Sequence, residues 1–248
     1  GPLINFPQVL TQAIAMSLVP AIAAAYKQKD MNFLNYNVRL GIRSAILVGL
    51  PCALGMMTLS EPIMLLLYPM QKASAVSAAP CLFIMAFGVI FLSTVQTLTG
   101  VLQGLGRPMI PVVNLCIGAA VKIALTYTLT GIDSINVKGA AIGTVAAYIV
   151  ASVLNIIAVK KCTGVRLDVT LTFVKPVSSA IVMSAAVWVS YRILFGVFGN
   201  ALSTVIAILT GAAVYCAMLF ITKAIKKEEL KFLPKSGKII NLMNKIKR

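Results

Sequence analysis

Apolar stretches long enough to cross a bilayer recur about seven times along the 248 residues, separated by short polar linkers. A helix rises 1.5 Å per residue and needs roughly 20 apolar residues to cross about 30 Å of hydrocarbon. The stretches that meet this length are Leu3–Tyr26, Ile42–Tyr68, Ala78–Leu102, Pro108–Thr130, Val137–Val159, Phe173–Phe195 and Ala201–Thr222. The second is overlong, and Glu61-Pro62 is expected to break it, leaving Ile63–Tyr68 as a short interfacial turn. Linkers this short make consecutive helices antiparallel neighbours. The pattern predicts an all-α, polytopic transmembrane helix bundle over residues 1–222 and a cytoplasmic basic amphipathic tail over residues 223–248.

Charge then orients the spans. Lys27, Lys29, Arg39 and Arg43 follow the first span, and Lys72 stands alone in the next linker. Arg107 follows the third span, while Asp133 and Lys138 cancel in the linker after it. Lys160, Lys161, Arg166 and Lys175 follow the fifth, Arg192 is alone after the sixth, and the tail carries nine Lys and Arg residues from Lys223 to Arg248. Basic-rich and basic-poor segments alternate, so the rich ones and the C-terminus are expected on the cytoplasmic side.

Only 11% of the residues are charged against about a quarter in soluble domains, too few to cover a soluble surface. The net charge of +16 lies between and after the apolar stretches, so no basic face for nucleic acid is expected. The chain has no His, which excludes imidazole catalysis and His metal ligation. Cys52, Cys81, Cys116 and Cys216 fall in apolar stretches and read as buried, inert thiols; Cys162 sits in a linker, and no spacing suggests zinc or a disulfide framework. No cofactor is expected. The chain opens on Gly1-Pro2 and runs at once into an apolar stretch without a signal peptide, which reads as the C-terminal part of a longer protein.

The chemistry must come from the few polar groups inside the spans. Lys122 lies about 21 Å along its helix from Pro108, where a charge costs at least about 2.5–3.5 kcal/mol unless it faces a cavity, a partner or water. Two readings stay open: a cationic contact for an anionic substrate, or a lysine that snorkels to the interface or pairs with a carboxylate elsewhere. Asn114 and Lys122 are eight residues apart with Gly118 between them, near one helical face. Gln96, Thr99 and Gln103 repeat at helical spacing and read either as a second polar stripe or as bonding partners for neighbouring helices, with Asn155 a weaker candidate. Together Lys122, Asn114, Gln96, Thr99 and Gln103 are the candidates for a substrate cavity.

Other residues read as structural. Gly139, Gly143, Ala147 and Ala151 recur every fourth residue and offer a small-residue face for close helix packing. Gly49, Pro51 and Gly55 interrupt the second span, where a kink is expected that serves as a hinge or stays static. Tyr26, Tyr68, Tyr127, Trp188 and Tyr191 fall near span ends, where amphipathic rings anchor at the interface. From Ser236 onward, Ile239, Met243 and Ile246 share one face opposite lysines, as in a helix lying on an anionic leaflet; a disordered basic tail is the alternative.

The turn from Thr99 to Pro111 (Thr-Gly-Val-Leu-Gln-Gly-Leu-Gly-Arg-Pro-Met-Ile-Pro), with Asn114 and Lys122 after it, resembles the stage V sporulation protein B family. So do Pro2-Leu3-Ile4-Asn5 with Ser17-Leu18-Val19-Pro20, Gly49-Leu50-Pro51, Glu61-Pro62-Ile63-Met64 and Asn136-Val137-Lys138-Gly139-Ala140-Ala141. The resemblance covers Pro2 to about Gly164, and the last two spans match in hydropathy alone. It implies a polysaccharide-transporter branch of the superfamily that holds lipid II flippases and multidrug exporters, with about fourteen helices in two pseudo-symmetric lobes. The seven spans would be the eighth to fourteenth, and the N-terminal bundle would lie outside this chain. The implied activity is outward flipping of an undecaprenyl-linked, anionic pyrophosphate-bearing saccharide by alternating access in the bacterial cytoplasmic membrane. A cation-coupled multidrug exporter is the alternative; its acidic coupling site would have to lie elsewhere, since the spans hold only Glu61. A membrane-embedded transferase lacks the carboxylates or His it would need, and a non-transporting scaffold would not need Lys122.

Overall fold

The computed structural model describes residues 2–132, 136–165 and 170–222. The expected surface helix from Ser236 and the linker charges Asp133 and Arg166 lie outside these residues. The described residues form α1 (Pro2–Lys27), α2 (Met31–Thr58), α3 (Ser60–Leu67), α4 (Lys72–Gly104), α5 (Met109–Thr130), α6 (Val137–Thr163) and α7 (Lys175–Ile221), with a π-helical turn at Thr170–Val174 leading into α7. Six of them are long and apolar enough to cross a membrane; α3 is too short.

As a straight rod α7 would run about 70 Å, more than twice the hydrocarbon thickness. Gly199 breaks it with φ 69° and ψ −176°, a backbone region essentially closed to residues with a Cβ. The legs on either side, residues 175–198 and 200–221, fold back on each other. Ser179 Oγ lies 3.4 Å from Thr222 Oγ1, and a Cβ added at Gly211 would collide with the Val187 side chain. The bundle thus makes about seven crossings, the last two joined by a one-residue reversal.

Boundaries move where capping, rather than hydropathy, sets them. The polar stretch between the first two expected spans is mostly helix, because Asp30 caps α2 by accepting from the Asn32 and Phe33 N–H groups at 3.1 and 3.0 Å. Leu34, Val38 and Ile42 then recur every fourth residue and are buried, so the helix continues through Arg39 and Arg43. The expected break at Glu61-Pro62 falls two residues earlier, at Leu59, and Glu61 sits in the first turn of α3, where the helix dipole favours an acid. No break accompanies Pro51, which lies inside a continuous α2.

Close approaches set the packing order. On α4, a Cβ at Gly100 would lie 2.7 Å from the Ala15 carbonyl oxygen, and one at Gly104 would lie 2.9 Å from that of Val19. Both pairs are 85 residues apart, so α1 and α4 run parallel. On α2, Gly41 meets Leu18 and Thr97, and Gly49 meets Ser93, so α2 lies antiparallel to both. Gly88 receives Val145 and Tyr148 of α6. Around these contacts Leu18, Ile22, Leu34, Val38, Leu98 and Leu102 form the core. α5 packs mainly on α6 and leaves most of its surface uncovered.

Candidate functional site

Three places in the bundle collect the residues of interest. The first is the flank of the α1–α4 pair. Thr11 is fully buried on α1, and its hydroxyl lies 2.5 Å from Gln96 Oε1 on α4. That contact holds the Gln96 amide, which is half-buried, as is Gln8 in the preceding turn of α1. Thr99 spends its hydroxyl on its own helix, donating to the Val95 carbonyl at 2.8 Å, and Gln103 is exposed at the end of the stripe. Gln8, Thr11 and Gln12 were not singled out from the sequence. Gln8 and Gln12 lie one turn apart, but only the parallel α1–α4 register brings Thr11, between them, to Gln96.

The second place is the α5–α6 seam. Gly139, Gly143, Ala147 and Ala151 are all buried there. A Cβ at Gly139 would lie 2.9 Å from the Leu129 carbonyl carbon, and one at Gly143 would lie 3.1 Å from the Lys122 carbonyl oxygen. From the α5 side, a Cβ at Gly118 would lie 2.8 Å from the Ala147 carbonyl oxygen. At the far end of the seam, Asn114 Nδ2 donates to Asn155 Oδ1 at 2.8 Å, with both side chains buried. The face expected to carry Asn114, Gly118 and Lys122 together therefore divides. The first two turn into the seam, whereas Lys122 gives the seam only its backbone carbonyl, beside Gly143, and its side chain is exposed.

An interhelical amide pair in a membrane bundle contributes about 0.6 kcal/mol on average and up to about 1.7 kcal/mol. A double-mutant cycle of Asn114→Ala and Asn155→Ala is therefore expected to show a coupling in that range when melting is followed in detergent. A coupling of zero would mean the two amides do not bond.

The third place was not visible in the sequence. A cavity of about 610 Å³ lies between α2–α3 and the two legs of α7. Pro51, Gly55, Leu59 and Ile63 line one wall, and Met183, Val187, Ile208 and Tyr215 the other, with Pro7 of α1 also contributing. Tyr215 closes its inner side, donating to the Leu47 carbonyl at 2.9 Å. Two of the hinge candidates, Pro51 and Gly55, are cavity wall, while Gly49 is packed under Ser93. None of the polar candidates lines this cavity.

Several other expectations change. Cys116 and Cys216 are exposed rather than buried, because their helices present those faces outward. Arg43, read as a linker charge, is 5% exposed inside α2. Tyr26, Tyr68, Tyr127 and Trp188 are exposed, with Arg192 stacked 5.2 Å over Trp188, but Tyr191 is held by Asn200. Among the described residues, no group of three or more His, Cys, Asp or Glu side chains is placed to hold a metal ion.

Known proteins share this arrangement. Stage V sporulation protein B of Bacillus subtilis (strain 168) is 26% identical over 243 residues, covering 96% of this chain and 45% of that protein. Lipid II flippase MurJ of the same organism is 25% identical over 224 residues, covering 86% of this chain and 40% of that protein. The chain thus spans about half the length of the curated relatives it matches. A solved structure described as lipid II flippase MurJ in an inward closed conformation superposes with a TM-score of 0.62 at 18% identity, covering 89% of this chain and 46% of that one, so the fold is shared. The sequence profile described as Lipid II flippase MurJ matches residues 3–207, most of the chain, and with the helical bundle this makes the protein a multi-pass membrane member of the lipid II flippase MurJ family.

Proposed function

We propose that the protein to which this chain belongs flips an undecaprenyl-linked, pyrophosphate-bearing cell-wall precursor across the bacterial cytoplasmic membrane by alternating access. In this reading the chain is the second lobe of a two-lobe, fourteen-helix carrier, and the first lobe is its partner. The observation that carries it is the 610 Å³ apolar cavity between α2–α3 and α7. Its volume falls within the range of small-molecule sites, about 300–1,000 Å³, but its walls lack the convergent polar groups that fix a polar ligand. A long hydrocarbon chain suits such walls. The headgroup then falls to the polar surfaces of the same bundle. Gln96, Gln103 and the neighbouring amides of α1 offer neutral hydrogen bonding to sugar hydroxyls. Lys122, whose side chain is exposed on α5, offers a cation for the diphosphate. Asn114 serves this surface indirectly, by holding α5 on α6, and Thr99 lies on the same stripe as Gln96.

The distribution of Lys and Arg supports a cytoplasmic C-terminus: Lys27, Lys29, Arg107, Lys160 and Lys161 lie at one end of the bundle, and Lys72 and Arg192 at the other. Neither nucleic acid nor a cofactor has a role in this reading.

The test is reconstitution of the full-length protein in liposomes with a polyprenyl-diphosphate-linked saccharide on one leaflet and an impermeant sugar-modifying reagent outside. Protein-dependent transfer between leaflets is the expected result. Ion-driven export of a cationic dye with no lipid transfer would reject the flippase reading in favour of a multidrug exporter.

A further inference from the structure

Asn200, the first residue after the Gly199 break, ties three elements together at one end of the apolar cavity. Tyr191 Oη of the first leg donates to Asn200 Oδ1 at 2.8 Å, and Asn200 Nδ2 donates to the Pro62 carbonyl of α3 at 3.1 Å. Thr204 Oγ1 donates to the Asn200 carbonyl at 2.7 Å, which anchors the start of the second leg. The bridge sits just beyond the cavity walls. Pro62 precedes the wall residue Ile63, Tyr191 lies one turn past Val187, and Asn200 lies about two turns before Ile208.

The two ends of the cavity are held differently. Toward the middle of the membrane, Tyr215 bonds to Leu47 on the long, continuous α2. At the other end, the bridge bonds to α3, an eight-residue helix set off from α2 by non-helical Leu59 (φ −104°, ψ 24°). A helix of two turns has little stability of its own, so its position depends on the contacts that hold it. Leu59, Ile63 and Leu67 are its contribution to the wall, and they move with it.

We propose that the Tyr191–Asn200–Pro62 bridge is a clasp that sets whether the α3 end of the cavity is closed or open to a long apolar chain, with Asn200 as its positioning residue. The proposal rests on the cavity being the hydrocarbon site of the carrier, but the clasp can be tested without any substrate.

Cys52 lines the cavity and is half-buried, so it serves as the natural reporter; Cys216 also lines it but is exposed already, and Cys81 on α4, which does not line it, serves as control. The full-length protein in membranes is treated with N-ethylmaleimide, and the modification rate of each cysteine is followed by mass spectrometry. Tyr191→Phe removes one bond and is expected to raise the rate at Cys52 about fivefold; Asn200→Ala removes the bonds to both Tyr191 and Pro62 and raises it further. Cys81 is expected to keep its rate in both variants. An unchanged rate at Cys52 overturns the clasp. A matching rise at Cys81 also overturns it, because Asn200 then holds the whole fold rather than one mouth. If Asn200→Ala does not fold, Tyr191→Phe, which removes a single hydroxyl, decides alone. Failure of lipid transfer in liposomes leaves these rates unaffected, so the clasp and the flippase reading fail separately.

Discussion

Gly100→Leu is expected to abolish the folded bundle, and Gly100→Ala to weaken it by about 1–3 kcal/mol, the usual cost of overpacking a well-filled interface. The cause is backbone against backbone. Any Cβ at Gly100 would sit 2.7 Å from the Ala15 carbonyl oxygen, 3.0 Å from its carbonyl carbon and 3.0 Å from its Cβ. No rotamer change relieves contacts of that kind; α1 would have to move away from α4. Gly104, one turn on, is held equally close to the Val19 carbonyl oxygen and to Ile22, so the displacement propagates along the parallel pair. Gly196 is the control: a Cβ there meets nothing within 4 Å. Gly196→Ala is expected to leave stability unchanged or to raise it by up to about 1 kcal/mol through helix propensity. Thermal melting of the three variants in detergent, followed by size-exclusion chromatography, separates these outcomes. Normal melting of Gly100→Leu would sink the close-packed α1–α4 crossing.

This crossing shows what the sequence makes legible. Spans are legible because the requirement for about 20 apolar residues is local and needs no knowledge of neighbours. Helix pairing is not. Gly100 and Gly104 stand in plain view as a pair four residues apart, yet the same residues also read as the approach to a tight turn. Only the bundle shows that Gly106, with φ 73°, makes the turn, while Gly104 is buried against α1. The small-residue face of α6 was easier, because four positions in strict succession leave little else for a membrane helix to do with them. The start of α2 was hidden because the Asp30 cap and two buried aliphatic positions override a polar composition. The cavity and the Asn200 clasp had no local signature at all. They exist because a one-residue reversal at Gly199 returns the second leg beside α3, 138 residues away from Asn200 in sequence.

Division of labour within the bundle follows from the same geometry. The apolar cavity and the polar surfaces are separate, and no residue named as a polar candidate lines the cavity. The proposed carrier of an amphiphile would need that separation, since hydrocarbon and headgroup have opposite solvation demands. The helices differ accordingly in how they are held. α4 touches α1, α2, α3 and α6 and acts as the fixed post, whereas α5 leans mainly on α6. Substitutions on α4 should therefore register as stability, and substitution of the exposed Lys122 side chain on α5 as function.

Lys122→Ala is expected to lower lipid transfer by about 10- to 100-fold while leaving insertion and melting unchanged. The magnitude is that of one hydrogen bond to a charged group, about 1.5–3 kcal/mol. Folding should be indifferent because the side chain is exposed and the seam uses only the Lys122 backbone, whose carbonyl lies against Gly143. Insertion should be no harder, since a lysine near the centre of a membrane helix costs about 2.5–3.5 kcal/mol that alanine does not. Lys122→Arg keeps the charge and is expected to retain most transfer; Lys122→Glu repels a diphosphate and is expected to fall below the alanine variant. The order Arg, Ala, Glu cannot come from packing, because arginine is larger than lysine, alanine is smaller and glutamate is intermediate. Equal transfer by all three variants in liposomes would show that Lys122 merely snorkels to the interface, and the cationic contact on α5 would have to be abandoned. Retention by arginine with graded loss in the other two would identify α5 as the helix that meets the diphosphate.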